Sequence, residues 1–211
     1  MPKTNLKPTD KFLAGFFILF TSFYFATAVH EIGHAIAYLS YGCQRVNMWV
    51  SPLIVGFTKC YQPNPYYFNS VNQELIINSA GIAFVSLVGL ILLLAYQWLR
   101  RHRQTHDRVI MILLTYFFAF AFLLNGFAQL LLSSDIRKIT ATINKQTTNA
   151  IAVIIGLILA YHLWQFPQMI RLVEPKVTNK TVKIISLMFY GLVGLILFGY
   201  FLYKPILIKL Y

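Results

Sequence analysis

Residues Phe12–Tyr41 read FLAGFFILFTSFYFATAVHEIGHAIAYLSY, a run with no Asp, Lys or Arg and a single Glu. A bilayer span needs about 20 mostly apolar residues, so this run predicts a membrane-crossing helix. Continued to Tyr41 it measures about 45 Å, longer than the ~30 Å hydrocarbon core, and so tilts or protrudes. Gly42 follows as a stop signal. His30, Glu31 and His34 lie late in this apolar helix, where polar side chains are costly and mark function.

Four more apolar runs follow, at approximately 75–99, 109–132, 150–169 and 184–203, and none holds a charged residue. Across the chain 58% of residues are hydrophobic and 11% charged, against roughly 25% charged in a soluble domain. The expected fold is an all-α polytopic membrane protein with about five transmembrane helices, one membrane domain over 1–211. The net charge of +12 comes from Lys and Arg in the loops, where they meet anionic headgroups, so the partner is the lipid bilayer and not nucleic acid. Ala26-Thr27-Ala28 resembles a signal-peptidase site. The apolar stretch before it exceeds the usual 7–15 residues, and cleavage there would take His30 off any stable helix, so the run is read as retained.

The longest connection is 42–74. Val46–Val50 and Ile54–Thr58 flank Ser51-Pro52 and predict a short β-hairpin over 46–58. Pro63, Pro65, Tyr66, Tyr67 and Phe68 suit an interfacial loop. Cys43 and Cys60 share this loop, either as a disulfide or as two free thiols. Asn125-Gly126 is a turn signal inside the third run and predicts a break in that helix. Ala152, Gly156 and Ala160 form a small-residue stripe that lets a helix approach closely, inside the molecule or in a homo-oligomer.

The chemistry sits in His30-Glu31-Ile32-Gly33-His34. Two histidines one helical turn apart share a face and can bind one zinc, and the Glu beside them can serve as general base. Gly33 removes a side chain next to the metal and leaves room for substrate or a neighbouring helix. With five His and three Glu in the chain, H-E-x-x-H arises by chance in roughly one of several hundred shuffles.

His30-Glu31-Ile32-Gly33-His34-Ala35, late in an apolar helix, resembles the site-2 protease family of intramembrane zinc metalloproteases. The likeness continues through hairpin 46–58, Asn78-Ser79-Ala80-Gly81 at the second run, and a third run leading to Asp135. It covers a three-helix core over 12–140 and leaves 141–211 as two additional spans. It implies hydrolysis of peptide bonds in or near a membrane-spanning substrate, with zinc on His30, His34 and Asp135 and Glu31 as base. Asn78 and Asn125 are the candidates for contacts to substrate or transition state. The family's Asn-x-x-Pro and Leu-Asp-Gly patterns are not kept: no such proline follows Asn125, and Ile136 follows Asp135.

Six acidic residues leave Glu74 as the competing third ligand, in a gluzincin-type membrane zinc protease resembling the family that processes prenylated proteins. A catalytically inactive membrane scaffold retaining the motif is the non-enzymatic alternative. His162, inside the fourth run, lines a water path or is structural; His102 and His106 sit among arginines and read as solvated loop. Orientation draws opposite indications. With the N-terminus inside, eleven Lys and Arg lie inside against seven outside, which sets the metal near the outer leaflet. The resemblance implies a metal near the cytosolic face and is given the greater weight. Substrate and membrane are not named by the residues.

Overall fold

The computed structural model describes residues 8–50, 56–61, 70–102, 109–132, 139 and 144–210. In chain order the elements are α1 (Pro8–Ser40), β1 (Val46–Val50), β2 (Gly56–Cys60), α2 (Val71–Arg101), α3 (Val109–Leu132), α4 (Lys145–Trp164), α5 (Phe166–Val173) and α6 (Asn179–Leu210). Four helical segments among the described residues are long and apolar enough to cross a membrane: Leu13–Ser40, Val71–Arg101, Val109–Leu131 and Lys145–Val173. The chain is an all-α polytopic membrane protein with a small hairpin after its first helix. The fifth apolar run, 184–203, falls inside α6, whose side chains are described only in part.

The centre of the bundle is α3, buried over 67% of its apolar window against 28–39% for the other spans. Its sequence explains this. Ala119, Ala121 and Ala128 let neighbours approach, while Tyr116, Phe117, Phe120, Leu123 and Leu124 fill the space between them. Along α3, α1 sets Gly15 near Leu113, Phe23 against Phe120 and Thr27 beside Asn125. The two helices therefore run parallel in nearly constant register. Carried on, that register sets Leu132, the end of α3, level with His34.

The predicted break at Asn125-Gly126 is absent, and α3 continues through both residues. A break at membrane depth would strand backbone polar groups. Both residues instead serve helix packing: Asn125 Nδ2 donates to Thr27 Oγ1 at 3.5 Å, and Gly126 closes against the Ser86 side chain of α2. The run 150–169 is likewise corrected. It is two helices that meet at Gln165, with a proline in the first turn of α5, where its missing N–H costs nothing.

Gly42 ends α1 as expected, at φ 80°, in the left-handed region glycine favours. Its N–H bonds Leu39 O and the Cys43 N–H bonds Tyr38 O, which satisfies two of the last carbonyls. The hairpin forms, and its second strand runs on to Cys60, two residues past the predicted end, with Ile54 and Val55 outside the described residues: Val46 pairs with Cys60, Met48 with Thr58 and Val50 with Gly56. The turn at Ser51-Pro52 lies outside the described residues. Alternation puts Gly56, Thr58 and Cys60 on the half-buried face of β2, and Phe57 and Lys59 on the exposed face. Of the small-residue stripe, Ala152 is buried and Gly156 abuts Phe127 of α3, so both pack inward, while Ala160 is exposed.

Candidate metal centre

Thr27, His30, Glu31 and His34 share one face of α1, and all four are buried. The ring nitrogens His30 Nε2 and His34 Nε2 stand 3.1 Å apart, with the rings edge to face at 4.7 Å between centroids. Two imidazoles ligating one zinc at 2.0–2.1 Å in tetrahedral geometry hold their nitrogens roughly 3.3 Å apart. The pair fits that ion within a few tenths of an ångström.

The second nitrogen of His34 fixes which nitrogen is available. Nδ1 lies 2.7 Å from Ile77 O of α2, and a carbonyl only accepts, so Nδ1 carries the proton and Nε2 presents its lone pair. The backbone of α2 thus orients the ring. Two glycines let α2 come this close. A Cβ on Gly81 would stand 2.5 Å from His34 Nε2 and 2.8 Å from His30 Cε1, and one on Gly33 would stand 2.7 Å from Ala80 O. Gly33 therefore makes room for a helix, one of the two uses expected of it. Gly81 makes room for both imidazoles, a role the sequence reading did not give it. Its signal was there: Ala80-Gly81 is a small pair in an apolar run, the kind that marks close helix contact.

Glu31 points to the hairpin. Thr58 Oγ1 lies 2.7 Å from Glu31 Oε2, and a Cβ on Gly56 would stand 2.6 Å from Glu31 Cγ and 2.8 Å from its Oε1. Buried carboxylates need such partners. Two other sequence candidates, Asn78 and Asn125, lie beside residues that meet the motif face of α1. Asn78 follows Ile77 and is buried, with Nδ2 lacking a hydrogen-bond partner. Asn125 is buried beside Thr27, and its Oδ1 also lacks one. Asp135 lies outside the described residues. Glu74 is exposed in the first turn of α2, one turn before Ile77. Among the described residues, no cluster of three His, Cys, Asp or Glu side chains is positioned to hold a metal.

His162 is not part of this centre. It sits at the far end of α4, where Nε2 lies 3.0 Å from Tyr116 O and the ring stacks on Tyr116 at 4.2 Å. His102 is exposed at the end of α2, and His106 lies outside the described residues. Cys43 and Cys60 form a disulfide at the open end of the hairpin. Disulfides persist in oxidising compartments, which agrees with the charge bias and runs against the cytosolic placement expected from the resemblance. Arg100 at the end of α2 bonds Gln168 of α5, so these two ends share a side, as that count has them. Comparison with family models, with curated proteins and with solved structures returns no match.

Proposed function

We propose that this chain is an intramembrane zinc metallopeptidase that hydrolyses peptide bonds in or near a membrane-spanning substrate. The observation that carries the reading is the convergence of His30 Nε2 and His34 Nε2 at 3.1 Å, with His34 Nδ1 committed to a carbonyl.

In this reading His30 and His34 hold zinc through Nε2, and Asp135 is the third ligand. Support for Asp135 is the level of the α3 terminus with His34, set by the parallel register of α1 and α3. When bound, zinc supplies Lewis-acid polarisation of the scissile carbonyl and a lowered pKa for water. Glu31 takes the proton from the attacking water and delivers it to the leaving amine. Asn78 Nδ2, buried and without a partner, is the donor available to the oxygen that gains charge. A helical substrate hides its peptide bonds in its own hydrogen bonds and must unwind. The two-stranded sheet keeps an outer edge that can hold it extended by strand addition. The disulfide and the charge bias favour a site on the extracytoplasmic side.

Metal analysis and cleavage of a fluorogenic apolar peptide in micelles test this. Purified protein carries about one zinc, as catalytic sites do. His30→Ala loses the metal. Glu31→Gln keeps it and loses cleavage. Asp135→Ala weakens zinc and abolishes cleavage, whereas Glu74→Ala leaves substantial activity. Reversal of the last pair moves the third ligand to Glu74 and the assignment to a gluzincin-type enzyme. A protein that stays metal-free after zinc supplementation is the inactive scaffold.

A further inference from the structure

We infer that Thr58, on β2, is a positioning residue for the Glu31 base, and that the hairpin exists in part to hold that carboxylate. The inference rests on the peptidase reading above and adds to it a residue outside the H-E-x-x-H motif.

The geometry is specific. Thr58 Oγ1 lies 2.7 Å from Glu31 Oε2 and 3.1 Å from Glu31 O. The hydroxyl has one proton, and two features send it to the carboxylate. That contact is the shorter, in the range of hydrogen bonds to an ionised acceptor, and the backbone carbonyl already accepts within the helix. Oε2 is thereby fixed, while the other side of the carboxyl group rests on Gly56, where a Cβ would come within 2.8 Å of Oε1. Gly56 and Thr58 are two residues apart, so both face Glu31 from the same side of the strand. Two residues further, Cys60 ties that strand to Cys43 just past the end of α1. The base is held from three sides: by its own helix, by a hydroxyl, and by a bare stretch of backbone.

A long, flexible Glu side chain has several rotamers, and a base works only from the one within reach of the attacking water. Restricting it beforehand removes that search from the barrier, and a misplacement of about 1 Å costs on the order of 100-fold in rate. The residue must donate and must be small. Ser keeps the proton and Val keeps the shape without it.

The test compares Thr58→Val and Thr58→Ser in the zinc-loaded full chain, with the fluorogenic apolar peptide as probe. Expected for Thr58→Val is a fall in kcat of about 10- to 100-fold, with KM and zinc content unchanged. Thr58→Ser recovers most of the rate. A second readout needs no metal: in metal-free protein, thermal unfolding of Thr58→Val, Glu31→Leu and the double variant shows coupling between the two sites. If wild type cleaves and Thr58→Val cleaves at the same kcat, the inference is overturned while the peptidase reading stands. Additive melting shifts in the metal-free cycle overturn it as well. If wild type neither holds zinc nor cleaves, the peptidase reading itself falls and takes this one with it.

Discussion

Two buried histidine sites stand at opposite ends of this bundle, roughly 28 Å apart along α2 from Ile77 to Tyr96 at 1.5 Å per residue. At one end His30 and His34 turn ring nitrogens toward each other against Gly81. At the other, fully buried His162 lies between Tyr96 and Tyr116, with Tyr116 stacked on its ring and the Tyr116 hydroxyl donating to His162 O. Both sites are buried histidines on apolar helices, and burial alone does not tell them apart. What differs is the neighbour. Beside the motif, α2 offers a glycine and a carbonyl, which leave room and fix a tautomer. Around His162 the space is filled with aromatic rings, and a metal has no place to stand.

The sharpest way to break this contrast is to fill the room. Gly81→Ala adds one methyl 2.5–2.8 Å from both imidazoles, closer than real Cβ contacts come. The His34 ring cannot retreat far, because its Nδ1 is bonded to Ile77 O on the same helix as Gly81. Zinc affinity is expected to fall at least 100-fold while the helices remain folded, at the upper end of losses seen when the surroundings of metal ligands are disturbed. Isothermal titration with zinc, alongside circular dichroism, measures both. Unchanged affinity would mean that the imidazoles do not meet the metal where they stand.

How much of this was legible beforehand depends on how local the cause is. The shared face of His30 and His34 and the stop at Gly42 follow from neighbours within one helical turn, and both are seen in the structure. The hairpin was legible in kind but not in register. Among the described residues pairing runs from Gly56 to Cys60, past the predicted end at Thr58. The register suits distant contacts on Glu31, from Thr58 27 residues away and Gly56 25 residues away, which no local propensity encodes. Asn125-Gly126 was misread for a related reason. In a soluble chain the pair makes a turn, but in a membrane helix small and polar residues are the ones that face other helices. Thr58 had no signal of its own, being one hydroxyl on a short strand.

A middle-sized effect is expected from the disulfide. Cys43 and Cys60 close a loop with a separation of 17 residues that contains β1 and the strand carrying Thr58. Cys43→Ser with Cys60→Ser leaves both histidines and their α2 contacts untouched, so zinc content stays at the wild-type level. The strand that holds Glu31 loses its anchor, and kcat is expected to fall several-fold, less than for Thr58→Val, since the hydroxyl is still present. Zinc loss in this variant would show that the hairpin supports the metal ligands themselves. In cells, impermeant thiol reagents added after reduction should label both cysteines from outside. Protection from them would return the site to the cytosolic side.

The smallest effect at the candidate metal centre is expected from His162→Leu, and the far end of the bundle is where the contrast is most exposed to failure. The substitution removes one neutral hydrogen bond from Nε2 to Tyr116 O, worth about 1 kcal/mol net. It also removes the stacking on Tyr116, worth about 0.5–1.5 kcal/mol. Against this, it removes Nδ1, a buried nitrogen that finds no partner, and whose desolvation costs about 1–3 kcal/mol. Tyr116 O is not stranded, because it lies inside α3 and keeps its helical N–H. These terms nearly cancel, so the melting temperature should move by no more than a few degrees, with about 2–4 °C for each kcal/mol. Zinc content and kcat should not move at all. His34→Leu, the same change of residue at the other end, should abolish both. If His162→Leu also lowers kcat with zinc retained, this histidine belongs to a polar path that reaches the site, and the division of the bundle into a chemical end and a packed end is wrong.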